Sequence, residues 1–142
     1  MADIEELLKQ GKTIQIKPKG VSMYPLIVPG RDEVIIEPIE DVNSLKRGDI
    51  VLYRREGSIL VLHRICKVRS NGIYLVGDNQ EIVEGPISFG QVRGRLTVFI
   101  RKGKRFSSNN IIYKFFAGVW LFLRPIRRYI KVPAAHIKRI FR

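Results

Sequence analysis

Ser22, His63 and Asp78 lie far apart in the chain, but their types could together perform nucleophilic chemistry on a carbonyl. Ser22 sits in Gly20-Val21-Ser22-Met23-Tyr24-Pro25, where a glycine and a proline let the backbone bend sharply and push a hydroxyl out of regular structure. A serine hydroxyl is a weak nucleophile at neutral pH, so a base must take its proton and a third polar group must orient that base. His63, in Leu62-His63-Arg64-Ile65, is the candidate base. Asp78, in Gly77-Asp78-Asn79 at the end of a short strand, is the candidate carboxylate. Singly, each has a plainer explanation: a serine near Gly and Pro is ordinarily a turn residue, a histidine on a β run is ordinarily packed, and Gly-Asp-Asn is ordinarily a turn. Their joint occurrence is what describes a site.

A sheet must position them. Alternation of apolar and polar residues predicts strands over Thr13 to Lys17, Glu33 to Glu37, Asp49 to Arg54, Ile59 to Arg69, Ile73 to Val76 and Gly94 to Arg101. Glu56-Gly57-Ser58 and Asn71-Gly72 read as tight turns, so the three middle strands form a meander. Asp41 to Gly48 is a polar loop. A short N-terminal helix through Ile4, Leu7 and Leu8 is expected, capped by Asp3 and stopped by Gly11. The first residues carry acids where a signal peptide needs cations, and no apolar run follows them. The lone cysteine, Cys66, has no partner for an internal disulfide and reads as a small hydrophobe; three residues from His63, it should face the opposite side of the strand.

Charge divides the chain. Of its 26 Lys and Arg, 12 lie from Arg101 onward, where none of the 13 acids falls. From Ile111 to Leu123 the chain is apolar and aromatic but for Lys114, and shorter than the roughly 20 residues that cross a bilayer. Arg124-Pro125 closes this block, and cations alternate with apolar residues to Arg142. A nucleic-acid tail would be more polar and richer in Gly and Ser. The composition suits a segment lying among lipid headgroups, so the expected organisation is a catalytic domain over residues 1–104 and a basic, amphipathic, membrane-associating tail over 105–142, with Phe106 to Asn110 as linker. An amphipathic helix packed on the domain is the competing reading of the same block.

Gly-Val-Ser-Met-Tyr-Pro-Leu at 20–26, Pro-Gly-Arg-Asp-Glu-Val at 29–34, Arg-Gly-Asp-Ile-Val-Leu-Tyr at 47–53, Leu-His-Arg-Ile at 62–65 and Gly-Asp-Asn at 77–79 resemble the signal peptidase I family, in its order and spacing, over roughly residues 12–100. The resemblance extends more loosely to the self-cleaving, LexA-like repressor peptidases. It implies a coiled β-sheet catalytic domain, so the expected fold is mainly β: that domain, with the short N-terminal helix and the basic, apolar, helical C-terminal tail read from the sequence. In bacterial-type members the base is lysine; in the type resembling the endoplasmic reticulum enzyme it is histidine, and here that position is His63. Lys67, four residues on, reads as surface charge. In relatives of the histidine type an acid also follows several residues after Gly-Asp-Asn, a place that Glu84 occupies here, so the resemblance leaves either Asp78 or Glu84 to complete the triad.

The resemblance further implies a serine endopeptidase that cleaves leader or signal segments of precursor peptides or proteins through a Ser22 acyl-enzyme. The backbone amide of Ser22 would serve as oxyanion donor, and Met23 and Pro25 would shape the cleft. No metal or cofactor is expected; the two histidines lack a ligand constellation, and His136 stands alone in the basic tail. The expected partners are the precursor substrate and an anionic membrane surface, with no nucleic acid, and the expected location is peripheral on a membrane. Export-type signal peptidases carry an N-terminal anchor, which has no counterpart before Ser22. Two rival readings are a non-cleaving, membrane-associated peptide-binding adaptor and a repressor-like autoprotease, for whose helix-turn-helix the residues before the first strand are too few.

Overall fold

The computed structural model describes residues 3–20, 22–24, 26–55, 59–80, 82–108 and 110–123. The expected turn at Glu56-Gly57-Ser58, the serine-box residues Val21 and Pro25, and the tail from Arg124 onward with His136 lie outside the described residues. The protein is mainly β, as expected: among the described residues, eight antiparallel strands form an open sheet. In chain order they are β1 (Ile14–Ile16), β2 (Asp32–Glu37), β3 (Ile50–Arg54), β4 (Leu60–Arg69), β5 (Gly72–Val76), β6 (Glu84–Ile87), β7 (Val92–Arg101) and β8 (Lys104–Ser107). Across the sheet they run β1-β2-β7-β3-β4-β5-β6, with β8 paired to β7. The meander β3-β4-β5 is present as predicted, and β7 crosses back to join its first strand to β2.

Both faces of the sheet are packed. One carries Ile14, Val34, Ile36, Ile50, Leu52 and Leu96 together with Met23, Leu26 and Ile27. The other carries Val51, Tyr53, Ile65, Ile73, Leu75 and Ile87, covered by Leu45 from the loop before β3. Successive residues of a strand point to opposite faces, so neighbours such as Ile50 and Val51 enter different cores. The N-terminal helix α1 (Ile4–Lys9) follows Asp3 as N-cap and packs Leu8 into the first core. Glu5 ties it down by accepting from Arg54 and Arg93; those hydrogen bonds hold its carboxyl down to about 2.

Two strands were not anticipated. β6 contains Gly85-Pro86, a pair that reads as a breaker; it is tolerated because β6 is an edge strand, where a missing N–H costs no ladder bond. β8 is joined to β7 by Lys102-Gly103, both at positive φ (53° and 78°), the backbone of a two-residue hairpin. The sheet thus continues past Lys104 to Ser107, into the stretch expected to be linker. Beyond it, α2 (Ile111–Phe115) runs into a π-helical turn over Phe116–Trp120. Trp120 and Leu121 are buried, so this segment packs back on the body.

Candidate active site

Ser22 occupies a turn whose far end is stapled to the sheet. Met23, Leu26 and Ile27 are all at most 4% exposed, so they root the loop in the core. Met23, expected to shape the cleft, is buried in the core and anchors the loop. The buried Asp32 accepts from the Val28 amide at 2.8 Å and from Arg31 and Arg101, and Arg101 also donates to the Leu26 carbonyl at 2.8 Å. Burial would raise the Asp32 carboxyl, but the two guanidinium groups outweigh it and hold it below its ordinary value. On the near side, the Asn79 amide donates to the Ser22 carbonyl at 2.8 Å. Gly77 lets this turn approach: a Cβ there would stand 2.5 Å from the Ser22 carbonyl oxygen.

His63 lies on β4 directly opposite Val51 and diagonal to Tyr53 on β3. It is 5% exposed and borders a recess of about 580 Å³ that Asn79, Arg55, Ile82 and Glu84 also line. Asn79 therefore connects the two halves of the site, its amide holding Ser22 and its residue lining the histidine recess.

The His63 ring has a partner that the sequence did not suggest. Its Nδ1 lies 3.2 Å from Tyr53 Oη, with the rings 6.1 Å apart between centroids and inclined by 57°. Tyr53 Oη donates to Glu84, and Glu84 also accepts from Arg55 Nε at 2.7 Å. Burial raises Tyr53 above the usual phenol range and the Glu84 charge adds to this, so it keeps its proton. Burial would raise Glu84, but the bonds from Tyr53 and Arg55 prevail and keep it low and ionised. Burial pushes His63 below its ordinary value, partly opposed by the Glu84 and Asp78 charges.

Asp78 has other work. Its two carboxylate oxygens accept from Arg64 Nε at 2.7 Å and Nη2 at 2.8 Å, Arg64 Nη1 donates to the Gly48 carbonyl, and neither side chain is more than 1% exposed. Strand alternation explains the division. His63 shares its face with Val51, Ile65 and Leu75, and Leu75 pairs with Glu84. Arg64 shares the opposite face with Ile50 and Val76, and Asp78 lies two residues beyond Val76. The structure thus directs Asp78 to Arg64 and links Glu84 to His63 through Tyr53. The Asp78 carbonyl also accepts from Trp120 Nε1 at 2.9 Å, tying the C-terminal segment to the turn that holds Ser22.

Lys67 is exposed, 5.9 Å above the Tyr74 ring, and lies past a register shift between Ile65 and Lys67 that breaks its alternation with His63. Cys66 sits in that irregularity and, with Lys67, lines a separate recess beside Leu121. Among the described residues, no cluster of three or more His, Cys, Asp or Glu side chains is arranged to hold a metal ion.

No protein-family model matches the chain. Over 71 residues, 46% of its length, it is 30% identical to signal peptidase I W of Bacillus subtilis (strain 168). The matched stretch covers 37% of that enzyme, so the chain spans well under half of the relative it matches. This partial similarity supports kinship with signal peptidase I.

Proposed function

We propose that this protein is a serine endopeptidase of the signal peptidase I kind, in its histidine-type branch, removing leader or signal segments from precursor peptides or proteins. The observation that carries the reading is the buried His63 on an open recess, backed by an ionised carboxylate and bordered by the turn that clasps Ser22. Ser22 Oγ attacks the scissile carbonyl carbon while its proton passes to His63 Nε2. The Ser22 backbone amide stabilises the oxyanion. Collapse breaks the C–N bond, His63 returns the proton to the leaving amine, and water then repeats the sequence on the acyl-enzyme. Burial favours the neutral imidazole, which is the form that accepts a proton.

The location proposed is the surface of an anionic membrane. No helix among the described residues is long and apolar enough to cross one. Supporting a surface position, Ile111, Phe115, Val119 and Phe122 are exposed at intervals of three or four residues, in a stretch that carries Lys114 and no acid and is followed in the sequence by further cations.

The peptidase reading is tested by incubating the purified protein with membranes and candidate precursors, beside Ser22→Ala and His63→Ala. Product should form only with the wild type. Equal product from all three would remove the assignment, and precursor binding retained by Ser22→Ala with no cleavage by any of them would favour a peptide-binding adaptor.

A further inference from the structure

We infer that Tyr53 is a positioning residue: it stands between Glu84 and His63, passes the carboxylate's hold to the imidazole, and fixes the tautomer that leaves Nε2 open to act as base. A tyrosine hydroxyl has one proton to donate. Here that proton goes to Glu84, so the Oη lone pair facing His63 can only accept. The group it accepts from is Nδ1–H, 3.2 Å away. Neutral imidazole carries one ring proton, and with it on Nδ1 the Nε2 lone pair is free to take the proton of a nucleophile. In the familiar triad an acid touches Nδ1 itself; here the acid is one hydroxyl removed.

The rest of the site reinforces this polarity. Arg55 donates to Glu84 through Nε at 2.7 Å and Nη2 at 3.3 Å, which keeps the carboxylate an acceptor and keeps the Tyr53 proton pointed at it. Tyr53 is fully buried against Val51, Ile65 and Leu75, so packing fixes its ring. The charged groups that act on His63 are Arg55 just after β3, Glu84 from β6 and Asp78 from the turn after β5, and Asp78 is itself paired with Arg64. Among the described residues, Glu84 heads a hydrogen-bonded chain that ends on the ring, whereas both Asp78 carboxylate oxygens accept from Arg64.

The catalytic consequence rests on the peptidase reading, whereas the tautomer does not, and the experiment separates them. In full-length protein labelled with ¹⁵N-histidine, His63 resonances are assigned by their loss in His63→Gln. Above its titration, His63 should be protonated at Nδ1 in the wild type. Tyr53→Phe keeps the ring and the Arg55–Glu84 pair, and should move His63 toward the Nε2–H form that free imidazole prefers. Glu84→Gln should displace the His63 titration to lower pH, because it removes a nearby negative charge and leaves Arg55. With a cleavable precursor, Tyr53→Phe should lower kcat on the order of 10- to 100-fold with little change in KM, less than loss of the base itself. An Nε2–H tautomer in the wild type, or a tautomer and kcat both unmoved in Tyr53→Phe, overturns the inference. A wild type that cleaves nothing overturns the peptidase reading and leaves the tautomer result to decide the role of Tyr53.

Discussion

Asp78 and Glu84 both place negative charge near His63, yet burial gives them different tasks. Asp78 and Arg64 are sealed from water, and a charge left alone there has no solvent to screen it. Asp78→Asn keeps the shape but strands the Arg64 guanidinium, and should cost about 3–5 kcal/mol of stability in a denaturant titration. Glu84→Gln loses a partly exposed pair with Arg55 and should change stability by no more than about 1 kcal/mol while acting on His63. A loss of stability no larger for Asp78→Asn than for Glu84→Gln would contradict this division. The residue types of the site were legible in the sequence, and so were two candidate acids. The choice between them was not, because it depends on which face of the sheet each side chain enters. The register needed was partly available: the turn expected at Glu56-Gly57-Ser58 would set Val51 against His63 and make Tyr53 a diagonal neighbour of that histidine, which is how β3 and β4 pair.

At the scale of elements, the candidate site depends on how closely the Ser22 turn and the 77–79 turn approach. The strands with clean alternation were readable, as was the β3-β4-β5 meander. β6 was hidden by its Gly-Pro pair, although it supplies Glu84, and β8 by its short polar sequence. The β4 irregularity at Cys66 left no sequence signal, since an inserted residue shows only against its partner strand. Gly77 is a further case: its role follows from what lies beside it. A methyl group there would meet the Ser22 carbonyl oxygen at 2.5 Å and Gln80 Oε1 at 2.8 Å. The glutamine can swing away, but the carbonyl belongs to backbone already held by the Asn79 amide. Gly77→Ala should therefore push the serine turn off the 77–79 turn, cost about 1–3 kcal/mol, and reduce cleavage more than it reduces stability. Thermal melts alongside precursor cleavage would check this, and wild-type turnover in the variant would show that the two turns need not touch.

Over the whole molecule, charge and apolar exposure accumulate at one end of the chain. The segment after β8 has two faces: Trp120 and Leu121 are buried against the body, with the Trp120 indole on the Asp78 carbonyl, while Ile111, Phe115, Val119 and Phe122 face outward. The competing sequence readings of this block, a packed helix and a lipid-facing one, are compatible on opposite sides of a single segment. An apolar stripe in a part of the sequence that is rich in Lys and Arg and carries no acid suits an anionic bilayer, where side chains enter the interface and the charges meet phosphate. Transferring one phenylalanine from water is worth about 1.5–3 kcal/mol, so losing two weakens partition by about 10²-fold or more. Phe115→Ser with Phe122→Ser alters exposed positions only and should leave the melting temperature close to that of the wild type. In flotation with phosphatidylserine-containing vesicles, the wild type should rise with the lipid, less so in high salt or with phosphatidylcholine alone, and the double variant should stay behind. Equal flotation of both proteins would exclude this face as the lipid contact. Equal flotation on both lipids would exclude the part assigned to charge.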